Sequence, residues 1–225
     1  MSFPAPSAEV CLFFRKCLKA DPAPFIDKMY ELGNYLYEIN RQMNLTAIPE
    51  EKFWNLHAAD SLSPVLYFPE RFQAGVSVLD LGCGAGFPSL VLAAAFPQIN
   101  MTALDSTRKK IDFVNAAAEK LSLPNLRGIH GRGNELARKP PYKANYDAVF
   151  ARAVASADIL IREALGFLRS DGSLIVFRTS EQYNSELSFL KKWKKGSFKA
   201  TETFELPDGA GSRMFLQIKQ IREMH

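Results

Sequence analysis

The stretch that most constrains the chain is Val78-Leu79-Asp80-Leu81-Gly82-Cys83-Gly84-Ala85-Gly86-Phe87-Pro88. An apolar run the length of one strand leads into three alternate glycines. Pro88 then supplies the fixed φ that suits the first turn of a helix. A strand–turn–helix corner of this kind aims backbone N–H groups and a helix N-terminus at one point, which makes it a cradle for an anion or a nucleotide-like cofactor. The surrounding sequence extends the same logic. From residue 75, short apolar runs alternate with amphipathic stretches: 76–81 then 88–96, 101–104 then 107–121, 126–130 then a short turn, 146–150 then 155–168, 174–177 then 181–194. Such alternation predicts βαβ units, with a parallel sheet covered by helices on both faces. Two last apolar runs, near 198–205 and 213–221, have no helix between them, and Pro207-Asp208-Gly209 marks a turn. An antiparallel hairpin is therefore expected to complete a mostly parallel, Rossmann-like α/β sheet of seven strands.

Ahead of this unit the pattern is helical. After Pro24, the residues Phe25, Ile26, Met29, Leu32, Leu36 and Ile39 recur at three- and four-residue spacing, and a further helix is expected over 53–67. The chain thus divides into a helical extension, 1–70, and a Rossmann-like unit, 71–225, forming a single structural unit. Cys11, Cys17 and Cys83 are too few and too irregular for a disulfide framework or a zinc site, so no metal is expected. No run approaches the roughly 18 apolar residues of a membrane helix, and no charged-then-apolar leader opens the sequence. A cytoplasmic monomer without a membrane partner is the expectation. With 28 Lys+Arg against 24 Asp+Glu, the net charge of +4 permits nucleic acid as a partner without demanding it.

Two cofactor classes use a glycine corner of this type. A dinucleotide fingerprint, G-x-G-x-x-G, would need glycine where this chain has Phe87, and no Gly-Lys-Ser/Thr follows to make a P-loop. The observed G-x-G-x-G suits S-adenosylmethionine, which has no pyrophosphate to cradle. Asp105, at the end of the next apolar run, is placed to accept both hydroxyls of a ribose. Gly82, Gly84, Gly86, Phe87 and Asp105 are accordingly the cofactor-binding candidates, with Cys83 a small filler among them. The methyl acceptor is narrowed by elimination. Lys139-Pro140-Pro141-Tyr142 has the look of an adenine-methylating turn, but it precedes the fourth strand and begins with lysine, so it reads as a loop. Pyrimidine C5 methylation needs a cysteine nucleophile near the end of that strand, and none is there. Arg152 follows the fourth strand instead and faces the ligand crevice.

Asn44-Leu45-Thr46-Ala47-Ile48, His57-x-x-Asp60-Ser61-Leu62, the glycine corner, Asp105-Ser106 with Lys109 and Lys110, Gly131-Arg132 and Ala151-Arg152-Ala153-Val154-Ala155 occur in an order that resembles the RsmG (GidB) family. The resemblance spans about residues 25–220. It implies an S-adenosylmethionine-dependent methyltransferase acting on N7 of a guanine in 16S ribosomal RNA, with the small ribosomal subunit as partner. It further implies cofactor contacts at Gly82, Phe87, Gly133, Asn134 and Arg152. Asn134 departs from the glutamate usual there, and Arg178-Thr179 stands where Lys-Gly is common. Arg213 matches a family arginine expected at the RNA or the mouth of the site.

Guanine N7 carries a lone pair and no proton, so alignment rather than proton removal is the expected source of catalysis. Arg152 is expected to position the reacting groups, Arg132, Arg178 and Arg213 to hold RNA, and His57, Asp60 and Asn44 to cover the site mouth. Lys191-Lys192-Trp193-Lys194-Lys195 reads as a solvated helix end or an RNA-backbone contact. A small-molecule methyltransferase and a non-catalytic ribosome-binding module with a vestigial pocket are the competing functions.

Overall fold

Helices α1 (Ala8–Leu18) and α2 (Ala23–Met43) open a computed structural model that describes residues 3–152 and 155–220. Ala153 and Val154 of the arginine motif, and the last residue of the final predicted strand, lie outside the described residues. Ser7 caps α1 by accepting from the Val10 N–H. Pro24 sits in the first turn of α2, whose inward face is Phe25, Met29, Leu32, Leu36 and Tyr37. The helix expected over 53–67 forms with changing pitch. A 3-10 turn at Glu50–Lys52 leads into a π-helical stretch, Phe53–Ala59, then one α turn, α3 (Asp60–Leu62), and a 3-10 turn, Ser63–Leu66.

The strands are β1 (Ser77–Leu81), β2 (Asn100–Asp105), β3 (Leu126–His130), β4 (Tyr146–Ala151), β5 (Leu168–Arg178), β6 (Gly196–Ala200), β7 (Phe204–Glu205) and β8 (Ser212–Gln220). Seven of them lie in the order β3-β2-β1-β4-β5-β8-β6, and the two-residue β7 pairs with β8 off that path. The five strands from β3 to β5 are mutually parallel, and β8 runs antiparallel between β5 and β6. The sheet is the doubly wound α/β kind that the alternation predicts, with seven strands in its path as expected. Period-two alternation then assigns each inner strand's residues to two cores. Val78, Ala148, Phe150, Ile175, Phe177 and Phe215 face the core shared with α1, α2, α4 (Ser89–Ala95) and α5 (Arg108–Lys120). Leu79, Leu81, Val149, Val176, Leu216 and Ile218 face the one shared with α7 (Ala157–Ala164) and Leu190 of α8 (Ser180–Lys192). The carboxyl ends of β1 to β5, together with the π-helical stretch, border a cavity.

Candidate active site

That cavity has a volume of about 780 Å³. One side is the glycine corner. Gly82 and Gly84 take left-handed φ values of 72° and 57°, and a Cβ on Gly84 would project into open space on the cavity wall. The Asp105 carboxylate shapes this corner, accepting the Gly84 N–H at 3.0 Å and the Thr107 N–H at 2.8 Å. Beyond it, Gly131, Arg132, Gly133 and Asn134 form the wall at the exit of β3, where Arg132 is the N-cap of the short α6 (Gly133–Leu136). Asp80 lies beneath the corner, fully buried. Its Oδ2 accepts the Ser89 N–H at the start of α4, while Oδ1 finds no hydrogen-bond partner. Burial pushes the Asp80 carboxyl up to about 7, against the lowering effect of Ser89.

The opposite side is built by the N-terminal segment. Tyr37 and Asn40 of α2 pin the loop that follows the helix. The Tyr37 hydroxyl donates to the Ile48 carbonyl at 3.0 Å, and Asn40 Oδ1 accepts the Leu45 and Thr46 N–H groups. Leu45, Thr46 and Ile48 thereby line the cavity. The π-helical stretch then delivers His57, whose ring stacks on Phe87 at a centroid distance of 4.0 Å. Arg152 leaves the end of β4 and meets this face. Its Nη1 donates to the Leu56 carbonyl at 2.8 Å and to Asp60 Oδ2 at 3.1 Å, and its Nη2 lies 3.4 Å from His57 Nδ1. Arg213 of β8 donates from Nε to the other Asp60 oxygen at 3.1 Å. One carboxylate, with its side chain 5 % exposed, therefore joins two arginines from strands far apart in sequence.

The imidazole's state follows from its neighbours. A guanidinium only donates, so His57 Nδ1 accepts and Nε2 carries the proton, donating to Thr46 Oγ1 at 3.1 Å. Burial, and secondly the charge of Arg152, hold His57 well below the ordinary histidine value, so the ring is neutral near pH 7.

A corner with open space over Gly84, a carboxylate at the end of β2 and a large adjoining cavity fits a nucleoside bearing a charged tail. Comparisons with known proteins agree. The sequence matches the family described as GidB, rRNA small subunit methyltransferase G, over residues 26–209. The chain belongs to the GidB family. A ribosomal RNA small subunit methyltransferase G of Brevibacillus brevis is 35 % identical over 216 residues, covering 92 % of this chain and 90 % of the relative. One of Staphylococcus epidermidis is 37 % identical over 199 residues, covering 87 % and 81 %. Among solved structures, an S-adenosylmethionine-dependent O-methyltransferase from Thermotoga maritima superposes with a TM-score of 0.58 at 18 % identity, covering 84 % of this chain and 73 % of that one. Methanococcus jannaschii fibrillarin, a pre-rRNA processing protein, gives 0.52 at 19 %, covering 67 % and 69 %. These likenesses carry the fold, and the GidB membership makes the protein an S-adenosylmethionine-dependent enzyme.

Within this GidB-family chain, the cavity wall includes His57, Asp60, Gly82, Gly84, Phe87, Asp105, Arg132, Gly133, Asn134, Arg152, Arg178 and Arg213 from the sequence-derived set. Two others stand off it. Asn44 is exposed and serves as the left-handed C-cap of α2 (φ 48°), and its neighbours Leu45 and Thr46 line the cavity in its place. Gly86 (φ 86°) is a packing position, because a Cβ there would lie 2.4 Å from Leu90 Cδ1. Arg178 needs a different correction. It is 4 % exposed and forks onto Glu186, with Nε to Oε2 at 2.9 Å and Nη2 to Oε1 at 3.0 Å, while also donating to the Ala155 and Phe177 carbonyls. Its charge is spent on holding α8 and the chain after β4, not offered to a phosphate. Asp60, expected to cover the site mouth, is occupied on both oxygens by arginines. Thr46 and the π-helical pitch went unread, since a hydroxyl in a loop and a one-residue change in helix pitch leave no pattern in apolar spacing. The Lys139–Tyr142 segment is an exposed turn away from the cavity, as its lysine and its position suggest. Among the described residues there is no cluster of three or more His, Cys, Asp or Glu able to hold a metal, and no helix long and apolar enough to cross a membrane.

Proposed function

We propose that the protein methylates N7 of a guanine in 16S ribosomal RNA, acting as a cytoplasmic monomer with the small subunit or its RNA as substrate. What carries this reading is one cavity that joins a nucleoside-type cradle to a mouth bearing Arg132, Arg152 and Arg213. S-adenosylmethionine, when bound, supplies an electrophilic methyl group. Gly82, Gly84, Phe87, Asp105, Gly133 and Asn134 would hold it. The acceptor needs no deprotonation, and the site is built accordingly. His57 is neutral with both ring nitrogens engaged, so it packs and orients rather than taking a proton. Arg152 keeps Nε and one Nη2 hydrogen without a partner among the described residues, free to fix a carboxylate, a phosphate or a guanine edge. Arg213 and the exposed Arg132 would take RNA phosphates. In this reading residues 71–225 form the catalytic unit, and residues 1–70 an extension supplying its acceptor-side wall.

The deciding measurement compares 16S rRNA from cells with and without the gene by nuclease digestion and mass analysis. A single guanine should lose one methyl group in the deleted strain, and the purified protein should restore it from S-adenosylmethionine. If no guanine differs between the strains, the ribosomal reading fails, and methylation of small molecules by the same protein would replace it.

A further inference from the structure

One acidic side chain on the cavity wall takes no part in the protein's own bonding. Glu163, on α7, is half-buried and lines the cavity, yet among the described residues its carboxylate makes no hydrogen bond and no ion pair. The other acid of that helix behaves differently. Asp158 pairs with Arg162 at 2.9 Å on the solvent side. A carboxylate with no protein partner on the wall of a cavity has its acceptor oxygens available to whatever occupies that cavity.

Its surroundings say what that is. Across from it is Gly133, where an added Cβ would lie 3.3 Å from Glu163 Oε2 and 2.9 Å from Leu81 Cδ1. The missing side chain at 133 is what gives the carboxylate its place beside the exit of β3. In the strand order β3-β2-β1-β4, that exit neighbours Asp105 at the end of β2 and is separated by β2 and β1 from Arg152 at the end of β4. A cofactor whose ribose met Asp105 and whose reacting end met Phe87 and Arg152 would leave its base to the wall formed by Gly133 and Glu163. The polar feature that separates adenine from an unsubstituted purine is an exocyclic amino group, a donor with no lone pair to repel an anion. We propose that Glu163 is a recognition residue for the adenine of S-adenosylmethionine, its carboxylate accepting the exocyclic amino hydrogen across the space that Gly133 leaves open.

The inference rests on the S-adenosylmethionine reading of the cradle, and the test separates the two. Calorimetric titration would compare S-adenosylhomocysteine with its analogue carrying unsubstituted purine, on the wild type, Glu163→Gln and Glu163→Ala, with thermal melts to verify folding. The wild type should bind the adenine compound about tenfold more tightly than the purine compound, the usual worth of a hydrogen bond to a charged acceptor. Glu163→Ala should bind both alike, at the affinity the wild type shows for purine. Glu163→Gln, which keeps an acceptor oxygen, should recover part of the preference. A Glu163→Ala protein that retains the wild-type preference overturns the role of Glu163 and leaves the cradle intact. A folded wild type that binds neither compound overturns the cradle as well.

Discussion

Asp60 is the residue on which the acceptor side turns. Arg152 and Arg213 approach it from β4 and β8, and neither has another carboxylate within reach among the described residues. Removing the shared anion would leave two largely buried guanidinium groups facing one another, so Asp60→Ala should destabilise the fold by about 3 kcal/mol in chemical denaturation. It should also lower methylation beyond what the unfolded fraction explains. Asp60→Asn keeps the shape and one acceptor and should fall between. Asp80 makes the complementary case, a carboxyl with too few partners. Its value near 7 means the native protein keeps a proton there at pH values where the unfolded chain has lost it. Stability contributed by this group is therefore present in acid and is lost as pH rises from the ordinary carboxylate range to about 7. Asp80→Asn lacks that loss, so its melting temperature relative to wild type should climb between about pH 4 and pH 7 and then level. His57 titrates with the opposite sign, losing stability as pH falls below its ordinary value, but it is present in both proteins and cancels in the difference.

At the scale of elements, the glycine corner separates conformation from space. Gly84 and Gly86 share a left-handed backbone, yet one faces the cavity and the other faces Leu90 and Val114. Gly84→Ala should cost about 1 kcal/mol of stability, the strain of a left-handed residue, while weakening S-adenosylmethionine binding by crowding the cradle. Gly86→Ala adds a collision to that strain and should cost at least about 2 kcal/mol. Denaturation and cofactor titration on the two variants would distinguish them, and equal losses in both assays would refute the division. The strands and this corner were legible in the sequence because each is written locally, in an apolar run and in glycines that only a turn requires. The junction of Asp60 with Arg152 and Arg213 was not legible, because it depends on three segments meeting after the sheet has closed. Arg178 was misread for a related reason. A charge after a strand announces itself, but whether it turns outward or onto Glu186 is settled by how α8 packs.

For the molecule as a whole, the N-terminal segment is a strap rather than an appendage. Phe3 packs among Tyr30, Tyr37, Phe53 and Trp54, over Gly33, where a Cβ would lie 2.2 Å from its ring. The Pro4 carbonyl accepts the Trp54 indole N–H at 2.7 Å. Phe3→Ala should therefore lower stability by about 3 kcal/mol, although the residue does not line the cavity; a denaturation midpoint equal to wild type would show the strap to be dispensable.

 The same strap reaches the late part of the chain. The Ser7 hydroxyl donates to the Asp208 carboxylate at 2.8 Å, and Asn55 Nδ2 donates to it at 2.8 Å and to the Pro207 carbonyl at 2.9 Å. Asp208 belongs to the turn that returns the chain into β8, the strand that carries Arg213 and lies between β5 and β6. Early and late segments thus close on each other around the cavity. That topology sets a clock during synthesis. A nascent chain emerging from the ribosome has its glycine corner early, but Asp60 waits for Arg213, and the sheet waits for β8 to enter between its neighbours. A methyltransferase of ribosomal RNA is in this way kept incomplete while the ribosome making it still holds β8.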